Sequence, residues 1–237
     1  MPLDYLRPDW PAPSCVQALT TLRPADGSLQ GPAAVSAHLL AHRIITAAPF
    51  WLSQVHGIAV ADADCAATTP PIADAAVSRQ LAQPLVVQTA DCLPVLFCDE
   101  TGSLIAAAHA GWRGLAAGVL QATVAKLRSK QPDAVLMAWL GPAIGPQHFV
   151  VGAEVRAAFV SADPQAASAF TPAPAAVNVQ PKYHCDLYAL AKQILHRVGV
   201  TQIYGGGLCT ASDPARFYSF RRDGRVIDHL RAMIWRV

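Results

Sequence analysis

The chain has 237 residues, 53% of them hydrophobic and only 14% charged, with a formal net charge of +2. It can therefore bury a large core, and it lies far from the low-hydrophobicity, high-charge regime of disorder. No basic stripe is present, which argues against a nucleic-acid partner. No apolar run approaches the ~20 residues that span a bilayer, which argues against a membrane one.

In chain order, residues 1–10 lack a basic stretch followed by an apolar one, so no signal peptide is expected. The six cysteines, Cys15, Cys65, Cys92, Cys98, Cys185 and Cys209, are scattered through a chain too large to need disulfide staples. Such cysteines are more often inert, metal-binding or catalytic than cross-linked, and a cytoplasmic protein is expected. His38 and His42 stand four apart, so one face of a helix would present both. No Glu follows in the metalloprotease manner, and the segment reads as a surface helix.

Residues 85–88 read as a short buried strand. Residues 94–98 and 103–108 read as two more, joined by the turn Asp99-Glu100-Thr101-Gly102, so 94–108 is expected to be a hairpin. Gly111-Trp112-Arg113-Gly114 ends the second strand. A helix is expected over 115–128, with Leu115, Val119, Ala122 and Lys126 on one face and Leu127 beside it. Strands follow at 134–140 and 148–151, and amphipathic helices at 154–160 and 187–198. Residues 161–174, rich in Ala, Ser and Pro, read as a helix end and a surface loop. The fold class is mixed α and β, with no internal repeat and no domain linker.

Three polar residues interrupt apolar segments. They are His56 before Gly57, Cys92 two before Pro94, and His109 two before Gly111. Thiolate and neutral imidazole are preferred zinc ligands, and three protein ligands leave a fourth position open, the catalytic pattern. Bound zinc also acidifies its water to near pKa ~7. The spacings of 36 and 17 positions match no short metal motif, and a His or Cys at a strand end is often a satisfied core group. From the residues alone both readings stand.

The runs Gln54-Val55-His56-Gly57, Thr89-Ala90-Asp91-Cys92-Leu93-Pro94-Val95, His109-Ala110-Gly111-Trp112-Arg113-Gly114 and Gly141-Pro142-Ala143-Ile144-Gly145-Pro146 carry a resemblance, as do Cys209-Thr210 and residues 217–224. Together they resemble the YfiH family, whose members are called laccase-like multicopper polyphenol oxidases, peptidoglycan editing factors or FAMIN-type purine nucleoside phosphorylases. The resemblance runs from about residue 50 to the C-terminus. It implies one catalytic domain over 1–237, an α+β fold built as a four-layer α/β/β/α sandwich, and a monomer or weak homodimer. It also implies metal ligation by His56, Cys92 and His109, with Zn2+ as the cofactor and Cu2+ as the alternative.

The same resemblance implies phosphorolysis of adenosine, inosine, guanosine and methylthioadenosine, and deamination of adenosine. The expected partners are thus a nucleoside and phosphate. Arg113, at the start of a helix, would supply a bidentate donor to phosphate beside the free N–H groups there. The plainer reading of Arg113 is an exposed helix-start residue. Trp112 could stack on a base or pack in the core. Asp91 could orient a ligand imidazole or cap a turn. Arg221 and Arg222 are further anion candidates; as neighbours in extended chain they would face opposite ways, so one at most reaches a given ligand. Gly205-Gly206-Gly207 reads as close backbone packing beside Cys209, itself read as a buried thiol. His184-Cys185 is set aside as a metal pair; only Asp186 matches a family position.

Two segments depart from the family pattern. Family members carry Asn-Leu-Gly and His-Val-Gly-Asp ahead of the first ligand, where this chain is shorter and has Gly27-Ser28-Leu29-Gln30-Gly31-Pro32. The usual Thr-Gly-Arg near the end is replaced by Ile227-Asp228-His229. Both segments are expected near the substrate pocket.

Two other functions compete. Two His and one Cys also form a blue-copper ligand set, but the sequence has no His-x-His pair to build the trinuclear cluster of a laccase. Alternatively Cys92 is a nucleophile with His109 as its base, as in the deamidating toxins that share this fold in outline. The peptidoglycan-editing role would be a related amide hydrolysis.

Overall fold

The computed structural model describes residues 4–24, 27, 30–65, 68–174, 180–225 and 228–237. In chain order they form β1 (Tyr5–Leu6), β2 (Val16–Thr21), α1 (Gly31–Ala41), β3 (Val60–Asp62), β4 (Ala75–Ser78), β5 (Leu85–Thr89), β6 (Leu93–Asp99) and β7 (Ile105–Ala110). Then come α2 (Trp112–Ala117), α3 (Val119–Lys130), β8 (Leu136–Leu140), β9 (Val150–Gly152), α4 (Ala153–Val160) and a 3-10 turn (Pro164–Ala169). The rest are β10 (Phe170–Pro172), β11 (Lys182–Cys185), α5 (Leu187–Arg197), β12 (Gln202–Gly205), α6 (Phe220–Asp223) and β13 (Leu230–Arg236). The mixed α and β class expected from the sequence is the class found.

The strands form a six-stranded sheet, β12-β8-β6-β7-β4-β3, a four-stranded sheet, β1-β2-β13-β5, and a three-stranded sheet, β10-β11-β9. Three apolar cores stack between the layers. Alternate residues of β6 and β7, such as Val95, Phe97 and Ala106, pack with Leu120, Leu127, Leu190 and Ile194 of α3 and α5. The residues between them, Leu96, Cys98, Ile105 and Ala107, meet Leu85, Val87, Ala232 and Ile234 of the four-stranded sheet. Val35 and Leu39 of α1 cover that sheet's other face at Leu19, Val86, Met233 and Trp235. Burial on both faces explains why β6 and β7 read as continuous apolar runs instead of alternating ones.

The expected hairpin is present: β6 and β7 pair antiparallel, with Leu93 opposite Ala110 and Cys98 opposite Ile105. Asp99 fastens its turn by accepting the Leu104 amide at 2.8 Å and the Ser103 hydroxyl at 3.0 Å. The single helix expected over 115–128 is two. Gly118, at φ 109°, ends α2 and begins α3, because only glycine enters that left-handed conformation freely. The buried face is Val119, Leu120, Thr123, Val124 and Leu127, while Ala122 and Lys126 stay partly exposed. The shift follows from the break, which resets the helical phase.

Residues 161–174 are more ordered than a surface loop. Asp163 caps the 3-10 turn by accepting the Gln165 amide, and β10 then pairs with β11. Asp186 caps α5 through the Ala189 amide at 3.0 Å. That helix buries Leu187, Leu190, Ala191, Ile194 and Leu195, each large apolar side chain contributing roughly 1.5–3 kcal/mol. Strands β2 and β13, which pair with each other and build the second sheet, left no signal that was read from the sequence. Ser28, Leu29 and Ile227 lie outside the described residues.

Candidate active site

The site is assembled around a carboxylate. β4 runs antiparallel to β7 with Ala75 opposite Ala108, which sets the preceding residue, Asp74, beside His109. The His109 amide donates to the Asp74 carbonyl at 2.7 Å. Asp74 Oδ1 accepts His109 Nδ1 at 2.8 Å, and since an ionised carboxylate only accepts, the ring donates from Nδ1 and presents Nε2. The same carboxylate accepts the amides of Val55 at 3.2 Å, His56 at 2.9 Å and Gly57 at 2.7 Å. Asp74 is fully buried.

Those three bonds hold His56 at φ 61°, a conformation that costs a non-glycine residue roughly 1–3 kcal/mol. Charge-assisted bonds to a buried carboxylate offset that cost. His56 Nε2 lies 3.7 Å from Cys92 Sγ, on the link between β5 and β6. The His56 and His109 rings stand edge to face at 4.8 Å between centroids. One ligand atom each from His56, Cys92 and His109 falls within 4.8 Å of the others, the only such metal-competent group among the described residues. A tetrahedral zinc at ordinary bond lengths sets nitrogen and sulfur about 3.6 Å apart, so the donor set fits with a small inward movement.

The glycines of the third motif serve space, not turning. Gly111 has φ −63°, open to any residue, but a Cβ there would stand 2.7 Å from His56 Cδ2 and 2.9 Å from Cys92 Sγ. At Gly114 it would stand 2.8 Å from the Gly57 carbonyl oxygen. Helix α2 can approach the two ligand loops only because these positions lack side chains.

Burial alone would raise the Cys92 thiol, but hydrogen bonds and charge from His109 and His56 bring it down to about 7. Burial alone would lower His109, but Asp74 and Cys92 raise it to about 9. Burial would raise Asp74 as well, and the His109 ring with the Gly57 and Val55 amides holds it below the usual carboxylate range. Without a metal the pair therefore favours thiolate and imidazolium.

The triad opens into a cavity of about 670 Å³ that also takes in Leu52, Gln54, Gln88, Trp112, Arg113, Phe149, Phe220, Arg221 and His229. Arg113 is exposed and lies over the Trp112 ring at 4.5 Å, so it is a helix-start residue that also reaches the cavity. Arg221 is steered by the carbonyls of His148 at 3.3 Å and Val150 at 3.1 Å and lies over Phe149. Arg222 turns away to Asp223, Thr210 and Phe217. One of the two arginines faces the cavity, as expected, but from the short helix α6 and not from extended chain.

Asp91 orients no imidazole. Its carboxylate accepts the Thr210 hydroxyl at 2.6 Å and the Arg221 amide at 2.7 Å, fixing α6 at the cavity edge. The orienting role falls to Asp74, which sequence reasoning missed. Its one signal was a lone acid inside the apolar run 72–77. Gln54 pairs with the Gln88 backbone at both its ends, at 2.9 and 2.8 Å, tying the first ligand loop to β5.

Cys209 is half-buried and accepts the Gly145 amide at 3.2 Å, outside the cavity wall. Gly205 packs as expected: a Cβ there would meet the Leu140 carbonyl and the Trp139 indole nitrogen at 2.6 Å. His184 contacts the Pro146 carbonyl and Cys185 is buried, so they form no pair. His38 of α1 and His42, the residue that caps its C-terminal end, stack at 4.0 Å. The two departures from the family pattern meet, since the Gly31 amide donates to Asp228 at 3.3 Å, and His229 lines the cavity.

Residues 32–237 match the family model described as multi-copper polyphenol oxidoreductase laccase. The chain belongs to that family, the YfiH family. Among curated relatives, this YfiH-family chain is 46% identical to a purine nucleoside phosphorylase of Pseudomonas aeruginosa, over 98% of each chain. It is 42% identical to purine nucleoside phosphorylase YfiH of Escherichia coli, over 96% of this chain and 97% of that one. Among solved structures, a Neisseria meningitidis protein superposes with a TM-score of 0.86 at 40% identity, over 98% of both chains. No helix among the described residues is long and apolar enough to cross a membrane.

Proposed function

We propose that this chain is a zinc-dependent purine nucleoside phosphorylase that also deaminates adenosine. The observation that carries the reading is the convergence of His56, Cys92 and His109 to within 4.8 Å at a cavity that also holds two guanidinium groups. The names of the relatives point to the same reaction. In phosphorolysis the glycosidic bond from C1′ to the base nitrogen breaks, a phosphate oxygen bonds to C1′, and the base leaves with a proton. In deamination water replaces the 6-amino group, and ammonia leaves.

His56, Cys92 and His109 would hold the metal, which when bound supplies Lewis acidity at its open coordination position. Asp74 fixes the His109 tautomer, as a hydrogen-bonded carboxylate does for metal-binding imidazoles. Arg113 and Arg221 supply fixed positive charge with several donors each, which suits a phosphate anion. Phe220, exposed at the cavity edge, supplies flat apolar surface for a base, whereas the Trp112 and Phe149 rings pack against the core beneath Arg113 and Arg221. The substrates are a purine nucleoside and phosphate, taken up by a monomer or weak homodimer in the cytoplasm.

The test is to measure the metal content of the purified protein and incubate it with adenosine and with inosine, with and without phosphate. Free base and ribose 1-phosphate formed only with phosphate support phosphorolysis; inosine from adenosine supports deamination. If a zinc-loaded protein forms neither product, the proposal fails.

A second reading, a cysteine amide hydrolase, is favoured by the pairing of Cys92 with two imidazoles. It predicts full activity without metal. A laccase is disfavoured, because the described residues offer one three-ligand group and no ligands for a trinuclear cluster. Copper in the same triad remains the alternative metal.

A further inference from the structure

His229 stands one residue before β13 and lines the cavity together with the triad. Its backbone is pinned. Asp228 and Arg231, both buried, pair at 2.8 and 2.5 Å, and Arg231 also donates to the His229 carbonyl at 2.6 Å. Asp228 in turn accepts the Gly31 amide. A buried ion pair is poor evidence for added stability, but it does fix geometry. The anchored ring, by contrast, has no hydrogen-bond partner among the described residues.

Burial and the nearby Arg231 charge lower the His229 pKa against the opposing Asp228 carboxylate, which favours the neutral ring. A neutral imidazole offers one donor and one acceptor. Arg113 and Arg221 offer donors and permanent charge only. The cavity wall therefore has two kinds of recognition group, arginines suited to an anion and, in His229 with Ser53, Gln88 and Thr89, uncharged groups that both give and take hydrogen bonds. Among the latter His229 is the one whose backbone is pinned by a buried ion pair. A nucleoside has such groups on its base edge and its ribose hydroxyls; phosphate needs donors.

We propose that His229 is a specificity-determining residue for the nucleoside, its two ring nitrogens hydrogen bonding the uncharged substrate while Arg113 and Arg221 hold phosphate. The inference rests on the phosphorylase reading. The test uses zinc-loaded full-length protein, the His229→Ala, His229→Gln and His229→Phe variants, inosine and inorganic phosphate. KM is measured for each substrate, inosine binding is measured by calorimetry without phosphate, and metal content and thermal midpoint are recorded for each protein.

On the proposal, His229→Ala raises the inosine KM and weakens inosine binding on the order of tenfold or more, the loss of both ring hydrogen bonds. Phosphate KM, metal content and the midpoint hold. His229→Gln, which keeps a donor and an acceptor, recovers part of the loss. Unchanged inosine KM in an active His229→Ala protein overturns the proposal and leaves the phosphorylase reading standing. A change in phosphate KM alone overturns it in the same way. A wild-type protein that neither binds nor converts inosine overturns both. If His229→Ala loses its midpoint, His229→Phe, which keeps a ring without hydrogen-bonding nitrogens, decides: a folded variant with a tenfold or greater rise in inosine KM supports hydrogen bonding as the role, and a wild-type inosine KM overturns it.

Discussion

Asp74 Oδ1 lies 2.8 Å from His109 Nδ1, and the same carboxylate also holds the amide of His56. Two of the three candidate ligands are thus set by one buried acid that is not itself one of the ligand group. A ligand imidazole gains basicity and a fixed tautomer from such a partner. Asp74→Asn is expected to weaken zinc affinity by ~10–100-fold, read by chelator competition, with a smaller effect on the fold. Wild-type zinc affinity in that variant would show that Asp74 has no positioning role.

Gly111 and Gly224 separate crowding from backbone strain. Gly111→Ala puts a methyl group against His56 and Cys92 at an unstrained φ. Bound metal should fall well below one per chain while the thermal midpoint changes little. Gly224 sits at φ 69° with open space around it, closing α6. Gly224→Ala should cost about 1 kcal/mol of stability and leave metal content intact. The reverse pattern of effects would refute the crowding argument.

Cys92 should be the reactive thiol of the metal-free protein. Its pKa near 7 lies below the ordinary thiol value, whereas burial pushes Cys98 and Cys185 up to about 12. The alkylation rate at Cys92, followed by peptide mass mapping, should rise with pH to a midpoint near 7, and zinc should suppress it. Alkylation unaffected by saturating zinc would place the metal elsewhere.

The pH dependence of stability tests the coupling between the pair. His109, raised to about 9 in the folded protein, contributes stability fully below its unfolded pKa near 6.5 and loses it as pH rises through 9. Cys92, depressed to about 7, contributes fully above its unfolded value near 9 and loses it as pH falls through 7. Between pH 7 and 9 the folded pair has shed one proton and kept one, as the unfolded pair has, so the two slopes cancel. The thermal midpoint of metal-free wild type should be flat across that window, and that of Cys92→Ser should decline. Parallel curves would show that the two groups do not share a proton.

Other parts of the structure were legible to different degrees. The 94–108 hairpin was readable because an apolar run, a turn closed by glycine and a second apolar run follow one another directly. The triad was readable through motif resemblance, since spacings of 36 and 17 carry no local period. Strand β2 was not read, because its partner, β13, lies at the other end of the chain. The break at Gly118 was missed, since a glycine inside a helical pattern is often tolerated.

The amino-acid order by itself determined which segments are apolar enough to become buried strands and helices, and which side chains had chemistry to offer. Only the folded chain decided which acid serves which imidazole. Asp74 reaches His109 because β4 and β7 pair in one register, and a slip by one residue would turn it to the opposite face of the sheet. Local periodicity contains no information about that choice; it is made by the cores that fix how the sheets stack.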